Sequence, residues 1–146
     1  MMGKESSTFH KTFSEYVDEL NTPCKVYSPA GQGIVCEAIW DTGAEQTVIS
    51  KEIAARLNLR VISKTRMYHV AGDNIVNTYS VYVGLSEDML IGPVKVMEGN
   101  FDGNVILLGM DIIGSGDLIV TNNDDHTEMA FSIPSTLRMD EIQKLL

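Results

Sequence analysis

The chain has 146 residues, 44% of them hydrophobic and 21% charged, which supports one folded domain and is too apolar for a disordered chain. Twenty acidic residues against 11 basic ones give a net charge of −9. With no cluster of Lys and Arg to meet phosphates, that balance argues against a nucleic-acid binder, so no nucleic-acid partner is expected. No apolar run is long enough to span a bilayer and no apolar secretory stretch opens the chain, so no membrane is expected and the expected location is cytoplasmic.

From Ser6 to Asn21, Phe9, Phe13, Tyr16, Val17 and Leu20 recur at helical spacing. They predict an amphipathic helix within an N-terminal extension, residues 1–22, that Pro23 ends. Cys24 and Cys36 are too few for a disulfide framework and have no metal-ligand partners at useful spacing, so they read as small half-buried residues. Lys25-Val26-Tyr27 is a short strand, and Ser28 to Gly33 a turn cluster. The apolar run Ile34 to Trp40 then suits a buried strand leading into Asp41-Thr42-Gly43-Ala44. Thr47-Val48-Ile49 resumes extended structure, and Ser50 is placed to cap a short helix, Lys51 to Leu57.

Thr65 to Leu85 reads as a β-hairpin turning at Ala71-Gly72-Asp73-Asn74. In its second arm Ile75, Tyr79, Val81, Val83 and Leu85 share one face, broken only by Asn77. Further strands are predicted at Val94-Lys95-Val96 and, after a turn at Phe101 to Asn104, at Val105-Ile106-Leu107-Leu108, which ends at Gly109. A last hairpin pairs Leu118-Ile119-Val120 with Met129-Ala130-Phe131 across Asn122 to Thr127, and Pro134 stops it. Residues 135–146 carry Leu137, Ile142 and Leu145 and predict a C-terminal helix. Many short strands with few helices make a mainly-β single domain over residues 23–134.

One carboxylate stands apart. Asp41 lies where an apolar strand meets a turn, and a charge at the end of a buried strand is costly unless structure is built to hold it. Gly43 lets the backbone turn sharply and lets another chain come close, and Thr42 offers a hydroxyl for a tight contact. Asp111 and Asp117 read as turn or surface acids. His10, His69 and His126 are scattered without metal-ligand spacing, and Asn122 to His126 lacks the spaced ligands and glycine of a calcium loop, so no metal site is expected.

Asp41-Thr42-Gly43-Ala44, a hairpin after it, and then Leu107-Leu108-Gly109 occur in the order of the retropepsin-like aspartic peptidases, the retroviral type. The chain resembles that family over about Ile34 to Pro134, and its bacterial and phage-like branch in particular. The resemblance implies a closed β-barrel-like lobe with a flap hairpin and short helices, forming a two-fold homodimer. It implies an aspartic endopeptidase with Asp41 as the catalytic residue, one from each subunit, activating a water between them without a cofactor. Only one Asp-Thr-Gly is present, so the second carboxylate is expected from a second copy. Thr42, Gly43, Leu107, Leu108 and Gly109 would support the catalytic turn and the dimer. Gly43, Ala44, Glu45, Val70, Ala71 and Gly72 would meet the polypeptide substrate, the last three from a flap at Arg66 to Tyr79. Met110 stands where many viral members carry an arginine. The alternative is a non-catalytic dimeric module of the same fold that binds a peptide or a partner.

Overall fold

The computed structural model describes residues 6–69 and 72–145. It is mainly β. Strands β2 (Asn21–Tyr27), β3 (Gly33–Trp40), β4 (Val48–Ser50), β5 (Ser63–His69), β6 (Gly72–Ser86), β7 (Met89–Gly99) and β8 (Val105–Leu108) make one sheet in the order β2-β3-β8-β4-β7-β6-β5. Lys25, Val26 and Tyr27 of β2 also pair with Gly84, Val83 and Tyr82 of β6, which closes six strands into a barrel and leaves β5 outside it. A second sheet, β1 (Ser7–Thr12), β10 (His126–Ile133) and β9 (Asp117–Asn123), lies in the order β1-β10-β9.

The barrel interior follows from side-chain alternation. Val26, Ala38, Tyr79, Val81, Val83, Leu85, Ile106 and Leu108 are buried, and each comes from one face of its strand. Tyr79 to Leu85 fill the interior as their spacing predicts, whereas Ile75, on the same face, is 67% exposed because that end of β6 leaves the barrel with β5. Ser50 caps α1 (Lys51–Arg56) by accepting the Ile53 amide, and Ile53, Ala54 and Leu57 turn inward. Cys24 and Cys36 sit directly opposite each other on β2 and β3, reduced and buried rather than half-buried.

Two expected helices are corrected. Residues 7–12 form β1, not a helix, and pair with β10, Phe9 opposite Phe131. A four-residue spacing such as Phe9 to Phe13 satisfies a strand period as well as a helical one. The tertiary partners decide it: Phe9 stacks on Trp40 at 6.3 Å, and Trp40 meets the edge of Phe131 at 5.1 Å. Pro23 does not end a helix but lies within β2, on a part of that strand that pairs only with β3. At the other end, helix α3 covers only Met139–Gln143. Residues 135–137 are held instead by Asp117, whose carboxylate accepts from the Ser135 hydroxyl and from the Thr136 and Leu137 amides. Leu137 and Leu145 are exposed, and Leu146 lies outside the described residues.

The two hairpins meet expectation with one adjustment. In the last, Leu118, Ile119 and Val120 pair with Phe131, Ala130 and Met129, and Asp124 and Asp125 take positive φ of 54° and 68° at its tip. In the first, Asp73 and Asn74 are not in the turn but pair with Tyr68 and Met67.

Candidate active site

The floor of the site is built by β8. This strand runs parallel to β3, Trp40 opposite Leu108, and antiparallel to β4, Val48 opposite Leu107. It thus wedges beneath the loop that joins β3 to β4, the loop carrying Asp41 to Gln46. The Asp41 amide donates to the Leu108 carbonyl at 2.9 Å, and the Ala44 amide donates to the Asp41 carbonyl at 3.2 Å to close the turn. Asp41 itself is half-buried, and its Oδ1 accepts the Gly43 amide at 2.9 Å.

Gly109 explains its own identity. A side chain there would meet the Gln46 carbonyl carbon at 2.7 Å, its oxygen at 2.8 Å and the Ala44 oxygen at 3.0 Å, all backbone atoms. That close approach lets Met110 donate to the Ala44 carbonyl at 2.7 Å and Asp111 to the Glu45 carbonyl at 3.1 Å. The loop is therefore pinned to the start of α2 (Met110–Ile113) by its own backbone.

Asp111, read from sequence as a turn or surface acid, ties the floor together. Its carboxylate accepts the Thr47 amide at 3.0 Å, the Thr47 hydroxyl at 2.7 Å and the Ile112 amide at 2.9 Å. The fully buried Thr47 hydroxyl in turn accepts the Gly109 amide at 3.1 Å. Neither Thr47 nor Asp111 is signalled by spacing within one element, because each makes sense only once the two loops lie together. Beneath the turn, Trp40 is buried, and its ring N–H donates to the Thr22 hydroxyl at 2.9 Å.

Above the floor, β5 and β6 project as a hairpin. A cleft of about 470 Å³ opens between them, lined by Gly43, Ala44 and Glu45 from the turn, Val48 and Met97 from the barrel rim, and Arg66, Met67 and Tyr68 from the hairpin. Of the expected substrate-contacting residues, the cleft thus gathers Gly43, Ala44 and Glu45. Gly72 sits at the hairpin's end with φ of 132° and does not line it, while Val70 and Ala71 lie outside the described residues. Thr42 and Gly43 are exposed at the mouth. Leu107 and Leu108 form the supporting strand, with Leu108 fully buried.

Comparison with known proteins agrees with this geometry. Residues 31–115, more than half of the chain, match the family described as "gag-polyprotein putative aspartyl protease". The chain belongs to the retropepsin-like aspartic protease family. Among solved structures it is similar to a retropepsin-like aspartic protease from Rickettsia conorii, at 17% identity and a TM-score of 0.58, over 90% of this chain and 98% of that one. It is also similar to the protease of simian foamy virus (mac), at 18% identity and a TM-score of 0.44, over 64% of this chain and 92% of that one. No curated protein matches the sequence. The closed barrel and its projecting hairpin are thus the architecture of the family, here joined to a terminal sheet packed on Trp40. Among the described residues no group of three His, Cys, Asp or Glu is arranged to hold a metal, and no helix is long and apolar enough to cross a membrane.

Proposed function

We propose that this protease-family chain is an active aspartic endopeptidase that works as a two-fold dimer, with Asp41 of each copy flanking one water. The observation that carries the reading is the placement of Asp41: a half-buried carboxylate on a turn fastened from below, beside a cleft roofed by a hairpin. Everything beneath the carboxylate is fixed, while its outward side and the exposed Thr42 are free to meet a second copy.

Two carboxylates at such range cannot both ionise, so they share a proton and titrate as a pair. One takes a proton from the attacking water as the other donates to the scissile carbonyl, and no covalent intermediate is formed. Thr42, at the exposed edge of the turn, would bond across the axis, and Gly43 leaves room for an extended substrate backbone. Val48, Met67 and Met97 give the cleft apolar walls, which favours apolar side chains on either side of the bond cleaved.

Dilution tests this reading. Cleavage of an unstructured protein is expected to fall faster than linearly as the enzyme is diluted and to be blocked by pepstatin. Activity proportional to concentration down to the nanomolar range, in a protein that sediments as a monomer, would contradict it.

A further inference from the structure

A cavity larger than the cleft lies beside it, under the base of the hairpin. It measures about 690 Å³, shares Met67 with the cleft and is lined by Lys51, Lys64, Asn77, Glu98 and Asn100. The register fixes which way its side chains face. Ile75, Asn77 and Tyr79 alternate on one face of β6. Lys64 lies opposite Asn77 and Arg66 opposite Ile75, which puts both cations on that same face of the hairpin, two residues apart.

The charges there are unbalanced. Among the described residues Glu98 is the one carboxylate on the cavity wall, and one of its oxygens accepts the Tyr79 hydroxyl at 2.5 Å. Among the described residues neither Lys51 nor Lys64 enters an ion pair, although acidic residues outnumber basic ones almost two to one in the chain. Arg66, by contrast, is paired with Asp73 at 3.6 Å. Two lysines without an ion-pair partner among the described residues thus line a cavity that adjoins the cleft at Met67, a lining suited to an anion carried on the substrate.

We propose that this cavity is an outlying specificity site, in which Lys51 and Lys64 hold an Asp or Glu side chain of the polypeptide substrate. The inference rests on the peptidase reading above and names a substrate class for it. An extended peptide advances about 3.3 Å per residue, the same rise as β5. A substrate strand lying along the hairpin therefore brings one side chain beside Arg66 and the next on that face beside Lys64. The favoured acid is thus set outward from the apolar residues at the centre of the cleft.

The test uses one fluorescent peptide series, in which a single Glu is walked through every position of a neutral sequence, with Gln and Lys at the same positions as controls. Binding is read by anisotropy on the Asp41→Asn protein and cleavage on the wild type. At one position on each side of the scissile bond, Glu is expected to bind roughly fivefold tighter than Gln, on the scale of exposed ion pairs. Lys there binds more weakly. The Glu-to-Gln ratio should collapse in K51Q/K64Q, and also in wild type at about 1 M salt, where charges are screened within a few ångströms. Equal affinities along the whole walk, or a Glu preference untouched by both the double substitution and salt, would overturn the proposal. The two readings fail separately: discrimination in binding without cleavage sinks the peptidase, and cleavage without discrimination sinks the acidic site.

Discussion

The floor and the roof of the cleft are held by opposite means. The turn from Asp41 to Thr47 is fastened at Asp41, Ala44, Glu45 and Thr47, through β8 below, α2 beside it and the Asp111 carboxylate between. The hairpin above is a two-stranded ribbon whose outer strand, β5, has a neighbour on one side only. Tyr68 and Ile75 on it are 76% and 67% exposed, and its cross-strand ion pair, Arg66–Asp73, lies in solvent. A buried, cross-braced floor keeps a carboxylate in place, whereas a ribbon with little buried surface can open and close. Substitutions in the floor should therefore cost stability and activity together, and those in the roof should alter substrate binding alone.

The largest effect is expected where the terminal sheet supports the floor. Phe131 is fully buried against Trp40, and Phe131→Ala should cost about 3–5 kcal/mol, the range for deleting a buried aromatic ring. Urea unfolding followed by fluorescence of Trp40, the single tryptophan, measures it directly. Gly109→Ala comes next. The new methyl meets backbone rather than a flexible side chain, so α2 and the turn must part, at a cost of about 2–3 kcal/mol with most activity lost.

Asp111→Ala leaves the amide and hydroxyl of buried Thr47 without their acceptor, which should cost about 1–3 kcal/mol. Its kcat should fall more than its KM changes, since the turn is loosened and the cleft walls are not. Asp111→Asn, able to accept one of the two Thr47 bonds, should lie between. For the roof, Tyr68→Ala is expected to move stability by less than about 0.5 kcal/mol while raising KM severalfold. A Tyr68→Ala protein that unfolds as readily as Asp111→Ala would erase the distinction between floor and roof.

The smallest effect concerns pH at the terminal sheet. Glu128 on β10 accepts from the Thr12 hydroxyl and lies 3.2 Å from His10 of β1 and 3.4 Å from His126. The bond to the Asp124 carbonyl, and then Glu128 itself, hold the His126 imidazole above its ordinary range, while His10, Thr12 and His126 hold Glu128 below the usual carboxylate range. A raised histidine lends stability below its unfolded value, lost as pH rises through the folded one. A depressed carboxylate lends it above its unfolded value, lost as pH falls through the folded one. The β1–β10 pairing should therefore be tightest at mildly acidic pH. Amide exchange at Phe9 and Lys11 should show a shallow optimum there that Glu128→Gln flattens.

Much of the barrel was legible because alternation along a strand is a local signal. Val81, Val83 and Leu85 announce their inward face, and Ser50 announces its helix. At the N-terminus Phe9 and Phe13 fit more than one period, and at the C-terminus the expected helix is present but shorter, Met139–Gln143 with Ile142 in it. What settles them is distant in sequence: the Trp40 ring and the Asp117 carboxylate. At the site, Asp41, Gly43 and Gly109 were visible as a motif, since each has a backbone reason to be that residue. Thr47 and Asp111 were not, because 64 residues separate them and their bond exists only after β8 has slipped beneath the turn.

Whether two copies of Asp41 meet at one water is tested most directly by a mixing experiment. A fixed amount of wild-type protein is exchanged with increasing amounts of inactive Asp41→Asn protein, and cleavage of a peptide is followed. Pairing at random leaves active wild-type dimers in proportion to the wild-type fraction, so the activity of the fixed wild-type amount should fall to about half at equal amounts and continue to vanish as the variant grows. Activity that stays constant at every ratio, while the two proteins demonstrably exchange subunits, would mean that one chain suffices and that the shared site does not exist.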